Sequence, residues 1–194
     1  DNQVIDLAFS KDGSIIASAS YDKTVRLWFI GTNKKPVVLR GHTKGVHSVT
    51  VSSKGKYIAS GGWDRHIILW NAQTGAKLKK LRRHSKGISS LSFTPNGELL
   101  LSGDYGGRLN VWNVNSGKYL GALLGHKLAI RSVVVSPDNL TAASAGADGT
   151  IHIWDLQSLT EITKTKRQRG LIKALTFSPD GRMLYSGSSR DGII

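Results

Sequence analysis

The chain has 194 residues, with 27 lysines and arginines against 13 acidic residues, a formal net charge of +14 and no cysteine. The missing cysteines exclude disulfides and thiolate metal sites, and no apolar run approaches the roughly 18 residues that cross a bilayer. The 39% hydrophobic content indicates a folded protein, for which we expect a cytoplasmic location, with the nucleus as the alternative. Such a charge favours acidic partners, but it also serves to solvate exposed strands, and composition leaves both interpretations open.

Tryptophan recurs along the chain with a fixed spacing of 42 residues, at Trp28, Trp70, Trp112 and Trp154. Such a spacing means that one supersecondary unit is repeated. Serines and histidines keep the same period. We therefore treat residues 1–194 as a single domain whose repeats cover residues 1–40, 41–82, 83–124, 125–166 and 167–194, the last of them incomplete.

Each repeat has the pattern of four short strands. In the second repeat, apolar residues alternate over 46–51, a Ser-Ser-Lys-Gly turn follows, and three further short stretches lie at 57–60, 67–70 and 78–81. Alternation with period 2 and turns between the runs are typical of an antiparallel meander. The first turn of each repeat ends on glycine, or on Asn139 in the fourth, which predicts a positive φ at that position.

Particular motifs link these repeats to a known family. They are Gly41-His42 and Gly125-His126 at repeat openings, Ser-Pro-Asp-Gly at 178–181, and the pairs Trp70-Asn71, Trp112-Asn113 and Trp154-Asp155. On these residues the chain resembles the WD-repeat (Trp-Asp repeat) β-propeller family over nearly its whole length. The resemblance implies an all-β propeller of four-stranded antiparallel blades. About 4.6 repeats are present, and we interpret the chain as a fragment of a larger, seven-bladed propeller.

A possible catalytic triad is formed by His42, Ser60 and Asp64, and the same set returns as His126, Ser144 and Asp148. A hydrolase does not need its active site copied in successive repeats. The resemblance implies instead a structural hydrogen-bond network that includes Trp70 and Trp154. We therefore predict no enzyme activity and no cofactor. We also predict no metal site, because each of the recurring histidines belongs to a separate blade.

The network is predicted to be incomplete in other repeats. The third has His84, Ser102 and Trp112, but Gly106 stands where the Asp should be. In the fifth, Gln168 replaces the histidine, and Asp191 fits only with one inserted residue because Arg190 holds its place. We expect these repeats to be less rigid at that end.

The resemblance also implies a partner-binding face, at the end that carries the His loops and Asp turns. Carried over position by position, its residues precede the turn Asp or begin the first strand of a blade. The partner-binding residues predicted on this basis are Tyr21, His47, Trp63, Ser89, Tyr105, Arg131 and Lys173. Aromatic residues and arginine dominate binding hot spots.

A second candidate surface is the outer strand of two blades together with the loop that follows it. Its basic residues form a predicted basic rim, which comprises Lys79, Lys80, Arg82, Arg83, Lys164, Lys166 and Arg167. Such a rim binds a phosphate backbone or an acidic segment, or protects an exposed edge strand from aggregation.

Our leading hypothesis is a non-catalytic scaffold that binds a protein or peptide partner, one with acidic character, on the His-loop face. The alternative is a nucleic-acid or ribonucleoprotein-associated subunit that uses the basic rim. We expect no membrane association. We also expect an incomplete propeller to self-associate through its exposed blade faces.

Overall fold

The computed structural model describes residues 2–189, which form antiparallel sheets joined by tight turns and contain no helix. In this part of the chain four sheets have four strands each and one has two. The strands are β1 (Val4–Phe9), β2 (Ile15–Ser20), β3 (Thr24–Phe29), β4 (Val37–Arg40), β5 (Val46–Val51), β6 (Tyr57–Gly62), β7 (His66–Asn71), β8 (Lys77–Arg82), β9 (Ile88–Phe93), β10 (Leu99–Asp104), β11 (Arg108–Asn113), β12 (Tyr119–Leu124), β13 (Ile130–Val135), β14 (Thr141–Gly146), β15 (Ile151–Asp155), β16 (Thr160–Lys164), β17 (Ile172–Phe177) and β18 (Leu184–Ser188).

Each sheet is a meander of strands that are consecutive in the sequence, and we number the sheets as blades 1 to 5. Blade 1 comprises β1–β4, blade 2 β5–β8, blade 3 β9–β12, blade 4 β13–β16, and blade 5 the described strands β17 and β18. The prediction of an all-β chain of four-stranded antiparallel blades is confirmed.

The turn between the first and second strands has the backbone geometry that the sequence predicts. Gly13, Gly55, Gly97 and Gly181 have φ of 71°, 63°, 75° and 73°, and Asn139 has φ of 66°. Asparagine tolerates this left-handed region better than most residues with a side chain. The substitution in blade 4 therefore leaves the turn intact.

Hydrophobic cores lie between successive blades. The first strand of each blade contacts the first strand of the next. One core joins blades 1 and 2, where Leu27 and Val25 pack in a cluster with Ile58, Ile68 and Trp70. Similar clusters follow between blades 2 and 3, 3 and 4, and 4 and 5. A single meander cannot cover both of its faces, so stacking of the blades supplies the buried apolar area.

The first strand of every blade contains a β-bulge at the same place. The register between the first and second strands skips one residue each time. A bulged residue is left out of the ladder, and its side chain can be redirected. The bulged residues are Ile5, His47, Ser89, Arg131 and Lys173.

Candidate partner-binding face and the buried histidine networks

Blade 2 contains a continuous hydrogen-bond chain from an indole to a carboxylate. The indole Nε1 of Trp70 donates to Ser60 Oγ at 2.8 Å. Ser60 Oγ lies 2.8 Å from Nε2 of His42, and Nδ1 of His42 lies 3.0 Å from Asp64 Oδ2. Because an indole only donates and a carboxylate only accepts, Ser60 Oγ accepts from Trp70, and Nδ1 of His42 donates to Asp64.

Blade 4 repeats the chain with nearly the same distances. Its Trp–Ser, Ser–His and His–Asp distances are 2.8, 2.8 and 2.9 Å. The residues involved are Trp154, Ser144, His126 and Asp148.

The serine hydroxyls of these chains are poorly placed to act as nucleophiles. Ser60 and Ser144 have no exposed surface. Each hydroxyl is also engaged on two sides, since it accepts from an indole and shares a second hydrogen bond with a histidine nitrogen. The arrangement therefore satisfies buried polar groups, which is what a protein interior requires of them.

The carboxylates of the two hydrogen-bond networks have strongly lowered pKa values. Burial alone would raise the pKa of Asp64, but the hydrogen bonds and charge of His42, with backbone amides of Thr43 and His66, lower it to about 2. Burial likewise opposes the effect at Asp148, where hydrogen bonds from Thr150 and His126 lower the pKa to about 2. Both groups are thus ionised at neutral pH, and each anchors its histidine ring.

The prediction for the third repeat is wrong, because blade 3 does have an acidic partner for its histidine. Asp104, the last residue of β10, places Oδ2 2.7 Å from Nδ1 of His84. Asp104 Oδ1 accepts from the backbone amides of Gly106 and Arg108 at 2.8 and 3.0 Å. The carboxylate comes from two positions earlier in the repeat than Asp64 and reaches the same place. Position-by-position comparison missed it, although an Asp two residues before Gly106 was the available signal.

The rest of the blade 3 chain matches the other blades. Trp112 donates to Ser102 Oγ at 2.8 Å, and Ser102 Oγ lies 2.7 Å from Nε2 of His84. Asn110 adds a contact found in this blade, with Nδ2 3.1 Å from Nε2 of His84. The expectation that blade 3 is less rigid at this end thus loses its basis.

In the described residues, the hydrogen-bond networks of blades 1 and 5 are incomplete. In blade 1, Trp28 donates to Ser18 Oγ at 3.1 Å, and Asp22 accepts from Thr24 in its own turn. In blade 5, the backbone amide of Gln168 donates to the Gly149 carbonyl of blade 4. The predicted alternatives Arg190 and Asp191 lie outside the described residues.

Four of the predicted partner-binding residues form one aromatic and cationic cluster on the His-loop face. The rings of Trp63 and Tyr105 stack with centroids 4.4 Å apart and an interplanar angle of 9°. The Tyr105 hydroxyl lies 2.6 Å from Nε2 of His47, and the Arg131 guanidinium lies 5.2 Å from the Tyr105 ring centroid. We call these four residues the aromatic face cluster.

The elements that position this cluster are the bulges and the turns between the second and third strands. His47 and Arg131 are the bulged residues of β5 and β13. Trp63 and Tyr105 occupy the turns after β6 and β10. Gly87 allows the stack to form, because a Cβ there would lie 2.8 Å from the Trp63 ring.

Burial affects the ionisation of the cluster. Burial lowers the pKa of His47, and the positive charge of Arg131 lowers it further. The neutral imidazole can therefore accept the hydrogen bond that the Tyr105 hydroxyl donates. Burial raises the pKa of Tyr105, which keeps the phenol protonated at neutral pH. Arg131 is then the exposed charge of the cluster.

The other three predicted face residues have different environments. Tyr21 is 36% exposed and covers Gly45, where a Cβ would lie 2.7 Å from its ring. Ser89 is buried and donates its hydroxyl to the Gly103 carbonyl, so it does not present a side chain to a partner. Lys173 is exposed on β17.

The predicted basic rim is less uniform than its sequence suggests. Lys79 and Lys80 are half-buried, and the Arg83 guanidinium packs 4.5 Å from the Tyr119 ring centroid of blade 3. Between the two basic segments lies the outer strand of blade 3, β12, which carries no charged residue. The exposed members are Arg82, Arg83, Lys164, Lys166 and Arg167.

The profile of the family described as "WD domain, G-beta repeat" matches residues 1–28, 33–71, 75–113, 117–155 and 160–194. The chain belongs to the WD-repeat family. It is also similar to coatomer subunit beta' of Drosophila melanogaster, with 45% identity over 47 residues. That match covers 24% of the chain and 5% of the relative. Among residues 2–189, no helix is long and apolar enough to cross a membrane.

Proposed function

We propose that this WD-repeat chain is a non-catalytic scaffold that binds a protein or peptide on the face formed by its His loops and Asp turns. One observation carries the proposal: Trp63, 40% exposed, is stacked on Tyr105 beside Arg131. A large aromatic ring held rigidly at the surface loses little conformational entropy on binding. Trp, Tyr and Arg are also the residue types most enriched in binding hot spots.

We propose further that the partner segment is acidic. His47 in the cluster is uncharged at neutral pH, which leaves Arg131 as its charge, and Lys173 is exposed at the corresponding bulge of blade 5. The net charge of +14 attracts an acidic segment over a longer range. Membership of the WD-repeat family and similarity to a coatomer subunit support a role within a protein assembly in the cytoplasm.

A displayed library of random 12-residue peptides, selected on the wild-type chain, tests this proposal. We expect the enriched peptides to be rich in Asp and Glu and to contain an apolar residue for the Trp63 surface. Measured by fluorescence polarisation, their affinity should fall at least about tenfold with Trp63→Ala, since a central aromatic hot spot contributes about 2 kcal/mol. Arg131→Gln should weaken binding of the acidic peptides as well.

Leu120→Ala is the matched control for the peptide experiment. Leu120 is 42% exposed, close to the exposed fraction of Trp63, but it lies on the outer strand β12. Its substitution should leave peptide affinity unchanged. Equal affinities for the wild type and for Trp63→Ala would refute the proposed face.

The exposed basic residues support nucleic-acid binding as the second candidate function. Lys164, Lys166 and Arg167 lie within four residues of the chain and are exposed. Binding of a phosphate backbone would weaken steeply with salt, with a slope that scales with the number of phosphates neutralised. A flat salt response for a 20-nucleotide single strand would remove this candidate. The uncharged strand β12 between the two basic segments makes it the less favoured one.

Self-association is a further proposal, based on the face of blade 1 that does not pack against blade 2. Leu7 and Phe9 are 59% and 63% exposed there, and they line a groove of about 380 Å³ with Trp28. Apolar patches of this kind favour pairing with another apolar surface. Sedimentation velocity should show a concentration-dependent dimer that Phe9→Ser weakens. A monomer at all concentrations would contradict it.

A further inference from the structure

Blade 4 differs from its neighbours in one buried residue of its third strand. His152 on β15 is 2% exposed, and the corresponding residues of blades 2 and 3 are Ile68 and Asn110. Its ring lies 4.2 Å from that of His126, centroid to centroid. A second histidine has thus been placed beside the histidine of the buried network. The spacing of 42 residues gave no sign of this, because His152 is not one of the recurring histidines.

His152 has a well-defined orientation. Its Nδ1 lies 2.6 Å from Glu161 Oε2 on the neighbouring strand β16. Gly125 leaves room for this pair, because a Cβ there would lie 2.8 Å from the ring. Metal-binding histidines characteristically donate their other N–H to a carboxylate, which fixes the ring and raises its basicity. Glu161 is placed to do this and leaves Nε2 to face the inside of the cluster.

Nε2 of His152 faces an oxygen that has no hydrogen left to donate to it. Thr150 Oγ1 lies 2.7 Å from Asp148 Oδ1 and 3.1 Å from Nε2 of His152. The Asp148 carboxylate only accepts, so the single hydroxyl proton of Thr150 goes to it. With the ring proton of His152 on Nδ1, where it faces Glu161, the Thr150 oxygen and Nε2 face each other without a hydrogen. Nε2 is then left to give its lone pair to a cation.

We propose that His126, Asp148 and His152 form a binding site for a divalent transition-metal ion such as Zn²⁺. One ligand atom from each residue lies within 4.8 Å of the other two. Ligand atoms around tetrahedral zinc lie roughly 3.3 Å apart, given bonds of about 2.0 to 2.1 Å, so side-chain rotations close the site. The proton of the His126–Asp148 hydrogen bond is released to solvent as the metal binds, because metal ligands must be deprotonated. Two imidazoles and a carboxylate suit zinc better than magnesium or calcium, which prefer oxygen ligands.

A cavity gives access to the site and room for a fourth ligand. It has a volume of about 390 Å³, and its lining includes Asp148, Thr150 and His152 together with Lys127, Lys164 and Arg167. Water can enter as the fourth ligand. The three cationic side chains oppose an incoming cation, so the affinity is lower than that of a site with the same ligands and no positive neighbours.

Isothermal titration of the whole chain with ZnCl₂ in a non-chelating buffer tests the site. We expect one zinc ion per chain. His152→Asn should weaken binding more than about tenfold, and Glu161→Gln by about tenfold through the orientation of His152. Asn110 stands at the corresponding place of blade 3, so His152→Asn suits the fold, and circular dichroism checks this. Glu161→Gln changes an exposed side chain, so its zinc affinity still tests the site if His152→Asn is unstable.

His66→Asn is the matched control, because it removes a histidine of blade 2 outside the cluster. Its zinc affinity should equal that of the wild type. No zinc binding by the wild type, an unchanged affinity in His152→Asn, or an equal loss in His66→Asn would each overturn the proposal, the last two by showing an adventitious ion only.

Discussion

Blades 2 and 3 bind their network histidines with carboxylates from different backbone positions. In blade 2 the carboxylate belongs to Asp64 in the turn after β6, and in blade 3 it belongs to Asp104 at the end of β10. The His–Asp distances are 3.0 and 2.7 Å. Both carboxylates also accept backbone amides of the turn. What is required is therefore an ionised oxygen at one point in space, and more than one residue of the turn can provide it.

The exchange is not symmetric between the two blades. Gly62 corresponds to Asp104, and a Cβ on Gly62 would lie 2.4 Å from the carbonyl oxygen of Gly45. Gly106 corresponds to Asp64, and a Cβ there meets first the flexible Lys86 side chain at 3.0 Å. Blade 2 therefore has no space for an Asp side chain at position 62, whereas blade 3 can accommodate one at position 106.

The double variant Gly62→Asp/Asp64→Gly tests this asymmetry and should have the largest effect. It moves the carboxylate of blade 2 to the blade 3 position, against the Gly45 carbonyl. We expect the free energy of unfolding to fall by more than about 4 kcal/mol, since steric strain adds to the loss of the histidine's partner. Urea denaturation followed by tryptophan fluorescence measures it. The reciprocal Asp104→Gly/Gly106→Asp should cost much less, and equal costs would contradict the steric argument.

Removal of either carboxylate tests whether the two positions contribute equally. Asp64→Ala and Asp104→Ala should each lower the free energy of unfolding by about 3 kcal/mol, because a buried histidine loses its charged partner. The two values should agree within about 0.5 kcal/mol in the same urea experiment. A negligible cost for Asp104→Ala would mean that Asp104 does not stabilise blade 3 as Asp64 stabilises blade 2.

Removal of the network serine should cost more in blade 2, where a histidine also contacts it, than in blade 1. Ser60→Ala leaves the Trp70 indole and Nε2 of His42 without partners and should cost about 2.5 kcal/mol. In Ser18→Ala the affected indole belongs to Trp28, which is 38% exposed and can bind water. That variant should cost less than about 1 kcal/mol. Similar values for both would show that neither the histidine nor the burial of Trp70 increases the contribution of the serine.

Acid should weaken the networks through their carboxylates. The pKa of Asp64 is about 2 in the folded chain against 3.8 for the free side chain. A lowered pKa contributes stability that is present above about pH 4 and lost as the pH falls towards 2. The contribution of Asp64 is at most about 2 kcal/mol. In urea titrations from pH 5 to 2, Asp64→Asn should lose less stability than the wild type, and an identical slope would exclude this role.

For the proposed partner-binding face, the sequence predicted which residues are present but not how they are arranged. Comparison of repeats selected His47, Trp63, Tyr105 and Arg131 among seven candidates. It treated them as separate positions in different blades. Their contacts depend on how neighbouring blades pack and on the bulges at His47 and Arg131, and the sequence of one repeat does not show which residues of the next blade it meets. The same limit explains Ser89, whose bulged side chain turns to the Gly103 carbonyl.

The sequence by itself determined the repeat, the strand order within each blade, the positive φ of the first turn and the family, because these depend on residues close together in the chain. The tertiary structure decided which distant side chains meet. It brought Asp104 to His84 from an unexpected position and placed His152 beside His126. A hydrogen bond or a ligand set depends on where atoms lie in space, and several backbone positions can place the same atom at one point.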